Sequence, residues 1–352
     1  MRHRLGAYRQ TMNGLPRLIT VLGACVALAA CTGPAAPTSA PATAAGATTS
    51  ASPPTSARPS IAPSTSTPAS SPTTTAAAPR PRASQPSTGS GPAPTAYRTA
   101  VVHHGADHPD DLVLDASGRL LYSDYTNGTI SRLDPGGTAT VIHRGLDGPE
   151  GMVLLADGTL VVAEENTNRV LAYASGASSP HVLTALPGTP VKVTCHEGVD
   201  GIAWDAGTHT LVVPDPVTGT IYRMQPDGSG RTRLSSGFAH PVGAAVGPDG
   251  AVYVADECGG DVWRLGAGGS HTRVARASMP DDVVLDGHGN LLVTDVRHVN
   301  HDVRRWSLSG GASTVLARSG LVEPQGLLVD AAGRIYVSDD KSNVILRLTP
   351  VA

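Results

Sequence analysis

The chain has 352 residues and a formal net charge of −3, unevenly spread: residues 1–95 contain no Asp or Glu, while from residue 99 onward 29 acidic residues face 18 basic ones, a net of −11. Such an acidic region excludes nucleic acid and anionic membrane surfaces as partners and suits a cation or a cationic ligand.

Residues 1–17 carry Arg2, Arg4, Arg9 and Arg17, and residues 18–30 (LITVLGACVALAA) form an apolar run too short for an ordinary membrane span. This is the layout of an export signal over 1–30. Its end, Leu28-Ala29-Ala30-Cys31, resembles the lipobox of bacterial lipoproteins, which implies lipidation of Cys31 after cleavage. Residues 31–96 then form a Thr/Pro/Ala/Ser-rich tether that cannot bury a core. At about 3 Å per residue it would hold a domain well over 100 Å from the bilayer. The expected location is the outer face of the cytoplasmic membrane, in the cell-wall or periplasmic space, with the membrane reached only through the lipid.

Residues 97–352 contain six copies of one pattern: a Pro-x-Gly-like start, an apolar triplet, a tight turn, and a second apolar strand closed by an acid. The starts are HPDDLVLD, GPEGMVLL, GVDGIAWD, HPVGAAVG, MPDDVVLD and EPQGLLVD. With x at Asp110, Glu150, Asp200, Val242, Asp281 and Gln325, the closing acids are Asp124, Glu164, Asp215, Asp256, Asp295 and Asp339. The offset is 14 residues in every copy but the third, where it is 15. Third and fourth apolar strands follow in five copies. The sixth lacks its fourth strand, and a matching segment, Tyr97–Val102, precedes the first. The expected fold is therefore all-β: a six-bladed β-propeller closed by an N-terminal strand.

The motifs HPVGAAVGPDGAVYVADECGGDVWRL (240–265) and EPQGLLVDAAGRIYVSDDKSNVILRL (323–348) resemble NHL-repeat propellers and, more distantly, the gluconolactonase family that includes senescence marker protein. In a propeller the residue before each innermost strand lies at the mouth of the central channel. Asp110, Glu150, Asp200 and Asp281 are thus expected to converge as candidate metal ligands, with Val242 and Gln325 completing the ring. Four carboxylates in a narrow mouth repel one another, and a hard divalent cation, Ca²⁺ or Mg²⁺, relieves them. The acids that close the second strands are expected instead to accept hydrogen bonds from backbone amides in the turns.

The gluconolactonase resemblance implies a metal held at x positions by a Glu, an Asn and an Asp, with an Asp as base. Carried over, Glu150 is the Glu ligand and Asp281 and Asp200 are acidic ligands or the catalytic base. No copy begins Pro-Asn-Gly, which departs from that pattern. Of the four cysteines, Cys195 and Cys258 remain in the folded region; their placement on one face of adjacent blades points to a disulfide, a free thiol pair being the alternative. His196 and Glu197 beside Cys195 lie on the mouth face, within reach of a ligand or solvated. No P-loop, HExxH or nucleophile-elbow motif is present, so no nucleotide or organic cofactor is indicated.

Two functions follow. The first is a lipid-anchored ligand-binding or sensing module, a monomer that takes a small molecule, a glycan or a protein on its channel-mouth face. The second is a divalent-metal-dependent lactonase or related hydrolase.

Overall fold

The computed structural model describes residues 91–297 and 300–351. The signal, Cys31 and nearly all of the tether lie outside the described residues. Within them are six four-stranded antiparallel sheets, each joined in sequence order except the last. The first blade is typical: strands Pro109–Leu114, Leu120–Asp124, Thr129–Leu133 and Ala139–Arg144. The sixth closes the ring. Tyr97–His104 pairs with Val344–Pro350, Thr99 lying opposite Leu348, and supplies that blade's outer strand. The all-β propeller expected from the repeats is thus observed, down to the strand borrowed from the N-terminal side. Among the described residues no helix is long and apolar enough to cross a membrane.

The blades cohere through apolar residues alternating along the inner three strands. Val161, Val170, Leu211, Val213 and Met224 pack as one cluster across the second and third blades, and Val254, Val212 and Ile221 do so across the third and fourth. Each such side chain contributes about 1.5–3 kcal/mol when fully buried. The outermost strands are more exposed; Val141, Val182 and Val315 face solvent.

Two local features aim the mouth residues. In five blades the pairing of the first two strands slips at the Pro-x-Gly segment, as between Pro109 and Leu112 or between Pro280 and Val283. This bulge breaks the ladder at x and turns its side chain toward the axis. The third blade dispenses with the bulge: its inner strand is only Ala203–Asp205, and Asp200 sits ahead of it in irregular backbone. The second feature is close approach. A Cβ on Gly151 would lie 2.3 Å from the Asp200 carbonyl oxygen, and one on Gly326 would lie 2.5 Å from that of Asp110. In the four blades that have a glycine after x, it lets the inner strand press against its neighbour.

Candidate active site at the channel mouth

The four acids expected at the mouth lie near enough for their charges to interact, but no three of them bring carboxylate oxygens within 4.8 Å of one another. Asp110, Glu150 and Asp281 are buried, and Asp200 keeps partial exposure. Burial pushes all four carboxyls well above the usual carboxylate range, and mutual repulsion adds to it: Asp200 acts on Asp110, Glu150 and Asp281, and Asp110 acts on Glu150 and Asp281. Val242 is buried, and the Gln325 amide, with its nitrogen turned inward, donates to Asp281 Oδ2 at 2.7 Å and Oδ1 at 3.1 Å. Glu150 Oε2 is buried with no hydrogen-bond partner. A buried, unpaired carboxylate oxygen with like charges nearby is the kind of group a hard cation satisfies, and these acids would have to close on an ion to share it.

The second aspartates of the two Asp-Asp starts were not singled out by the sequence argument, and their role is structural. Asp111 and Asp282 occupy the slot that is glycine in the other four copies. Each reaches across to the next blade: Asp111 Oδ2 accepts from Met152 N at 2.5 Å and Asp282 Oδ2 from Leu327 N at 2.8 Å. Their Oδ1 atoms accept from Leu112 N and Val283 N at 2.6 and 2.7 Å. Where the glycine packing is missing, a carboxylate staple joins the blades. Burial raises Asp111 to about 8 and Asp282 to about 6, against the lowering effect of these amide bonds. The signal was available in the alignment: an acid in a glycine column, twice.

Five of the six acids that close the second strands accept backbone amides as expected; Asp215 instead accepts from the Thr218 hydroxyl and leaves Oδ1 buried and unpaired. Asp256 accepts from His240 N at 2.7 Å and Ala239 N at 3.2 Å; Asp339 accepts from Val322 N at 2.7 Å, Glu323 N at 3.2 Å and Ser342 N at 2.8 Å. Asp295 and Asp124 do the same for Ser278 N and Asp107 N. These acids hold the turns that present the ring.

Cys195 and Cys258 form a disulfide, with Cα atoms 5.9 Å apart. It pins the excursion before the third blade against the fourth. Beneath that excursion lies a cavity of about 320 Å³ lined by Asp147, Glu165, Asn166, Lys192 and Glu197 among others. Burial pushes Glu165 up to about 7, with Glu197 adding to the rise. Tyr125 Oη donates to Asn166 Oδ1 at 3.1 Å. On the other side of the ring the channel opens into an apolar cavity of about 380 Å³, with Leu112, Met152, Ile202 and Trp204 in its wall. His196 is exposed, whereas Glu197 turns inward.

Residues 109–310 match the SMP-30/gluconolactonase/LRE-like region. The chain belongs to this family. No curated protein matches it significantly by sequence. Among solved structures it is similar to a candidate gluconolactonase (15% identity, TM-score 0.59, covering 73% of this chain and 93% of that one). It is also similar to the PQQ-bound aldose sugar dehydrogenase of Streptomyces coelicolor (18%, 0.58, 73% and 99%) and to virginiamycin B lyase of Staphylococcus aureus (18%, 0.52, 68% and 80%). At such identities these likenesses establish the propeller alone, and the three proteins carry different activities.

Proposed function

We propose that the protein is a divalent-cation-dependent hydrolase of lactones or related small esters, with Asp110, Glu150, Asp200 and Asp281 holding Ca²⁺ or Mg²⁺ at the channel mouth. The observation that carries this reading is Glu150 Oε2, buried and unpaired among three further carboxyls. The bound cation supplies Lewis-acid polarisation of a carbonyl and a lowered pKa for water. The chain's own residues divide the remaining tasks. Gln325 fixes Asp281 in one orientation, which suits a ligand. Asp200 is the ring acid that is not fully buried and would serve as the base that takes a proton from water. Membership of the family supports the same reading, and the absence of an Asn at every x position is its main departure.

The test uses EDTA-treated full-length protein with a panel of γ- and δ-lactones, with and without added Ca²⁺ or Mg²⁺. The expected result is cation-dependent turnover that Glu150→Gln lowers at least 100-fold without lowering the melting temperature. Retained turnover in Glu150→Gln overturns the assignment. A cation-dependent rise in melting temperature with no turnover on any lactone supports the second reading, a binding or sensing module. That reading is favoured by the apolar ring position Val242, which leaves the mouth asymmetric. The export and lipid anchor inferred from residues 1–31 complete the proposal by placing the domain outside the cytoplasmic membrane. Release of a Cys31→Ala variant into the medium is the expected check.

A further inference from the structure

The apolar cavity of about 380 Å³ beneath the ring is continuous with the acids, because Asp110, Asp200 and Asp281 form part of its lining. From that level the inner strands carry the wall toward the far turns. Two residues after x stand Leu112, Met152, Ile202, Val283 and Leu327; four after x stand Leu154, Trp204, Val246, Leu285 and Val329. The fourth blade alone has a small side chain two residues after x, Ala244, so the wall is cut back on that side. Among the described residues the lining includes no Ser, Thr, Asn, Gln, His, Lys or Arg. Besides the aspartates at the inner end, its polar side chains are Trp204 and, next to the far turn of the fourth blade, Asp249 and Tyr253. The far rim is apolar as well: Leu308 is 36% exposed there, its amide donating to the Gly289 carbonyl at 3.0 Å.

Such a wall selects by chemistry. A sugar lactone carries a hydroxyl on nearly every carbon, and each hydroxyl brought against this wall loses water without gaining a partner. A methylene has the opposite balance: each one moved out of water tightens binding roughly fourfold. The volume suits a small ligand, and the four strand steps from x to the last wall residue make the channel about 13 Å deep. It is tight where the blades meet. A Cβ on Gly201 would lie 2.7 Å from the Val242 carbonyl oxygen, and one on Gly243 would lie 2.3 Å from that of Asp281. A slender chain fits this shape and a substituted ring does not.

We propose that this channel takes an unbranched alkyl chain whose polar head lies at the aspartates and whose far end reaches Leu308. The alkyl site stands on the lining itself. What the chain belongs to rests on the lactonase reading of the ring: the substrate is then a lactone with an alkyl tail, not a polyhydroxylated sugar lactone. Ala244, by cutting back one side of the wall, sets the length and width of tail that the channel accepts.

The test has a binding arm that needs no chemistry and a kinetic arm that does. Full-length protein in EDTA is titrated by calorimetry with hexan-1-ol, octan-1-ol and decan-1-ol, and affinity is expected to rise about fourfold per methylene. Ala244→Phe fills the cut-back side and should weaken decan-1-ol binding at least tenfold. Leu308→Glu, at an exposed position whose change spares folding, should weaken it by about tenfold through the charge set at the rim. With Ca²⁺ added, KM should fall from δ-hexalactone to δ-dodecalactone and be highest for glucono-δ-lactone; Ala244→Phe should flatten that series while keeping kcat on δ-hexalactone. Equal affinity for hexan-1-ol and decan-1-ol, or decan-1-ol binding that both variants leave unchanged, overturns the alkyl channel even where lactones are turned over. Decan-1-ol binding that both variants weaken, with no lactone hydrolysed, supports the channel and overturns the lactonase reading of the ring instead.

Discussion

Every blade ends its second strand with an acid and four begin their first with one, yet the two sets of carboxylates live in opposite circumstances. Asp256 and Asp339 sit among backbone amides that converge on them, so their charge is welcomed by fixed donors. Asp110, Glu150 and Asp281 are equally buried but face one another, and their charge is opposed. Burial alone therefore does not distinguish a structural acid from a chemical one. The distinguishing quantity is what points at the oxygens: amides in one set, carboxyls in the other.

The contrast is broken most severely by Asp339→Ala. Three part-buried amides lose their acceptor, and with each orphaned donor costing about 1–3 kcal/mol less what water recovers, a loss of roughly 3 kcal/mol is expected in a denaturant melt. Asp339→Asn, which keeps one acceptor oxygen, should lose less than half as much. A loss below about 1 kcal/mol in the alanine variant would show that the turn is held by other contacts. The next largest effect belongs to the ring. Ca²⁺ or Mg²⁺ at 100 times its Kd should stabilise the protein by about 2.7 kcal/mol, an increment that the Glu150→Gln/Asp281→Asn double variant removes and Asp339→Asn retains.

The staple residues lie between the two sets. Asp282→Gly removes the bond to Leu327 N but restores the glycine used at this position in four other blades, and it discards a buried carboxyl. These effects partly cancel, so a loss of about 1.5 kcal/mol is expected, measured by the same melt. A gain in stability would show that the staple is a burden tolerated for another purpose.

The fold was legible in the chain because a propeller repeats its instruction: six Pro-x-Gly starts with a closing acid 14 or 15 residues on, and a stray strand at Tyr97, leave little freedom in closing the ring. The placing of Asp110, Glu150, Asp200 and Asp281 at one mouth followed from that symmetry, as did the pairing of Cys195 with Cys258. Departures from the repeat were harder to read. Asp111 and Asp282 looked like duplicates of their neighbours, although the adjacent backbone slots face different atoms across the bulge. His240 looked like one more residue before a proline. Its imidazole stands between Glu257, which sits just past a strand end, and Glu197, which arrives from an irregular excursion whose path no periodicity dictates.

The smallest effect is expected from Asp281→Asn without added cation, and its pH dependence is the sharpest comparison of the two sets. A carboxyl whose folded-state pKa is raised holds its proton more tightly in the folded protein than in the unfolded chain. Its contribution is full below about pH 4, where both states are protonated, and is lost as pH rises through the folded value. For Asp282 and Asp111 those values are about 6 and about 8, and the ring acids are raised in the same direction. The cation-free protein should therefore be more stable at pH 5 than at pH 8, the reverse of acid lability. Because burial and the neighbouring carboxyls favour the protonated form of Asp281, replacing it with an isosteric amide should change stability by less than about 1 kcal/mol, and the difference should shrink toward pH 5. Melting curves at pH 5 and pH 8 in EDTA decide the matter. A wild-type protein that melts lower at pH 5 would mean that the ring is ionised and partnered, and the carboxyls at the mouth would then belong with Asp256 and Asp339 as structure.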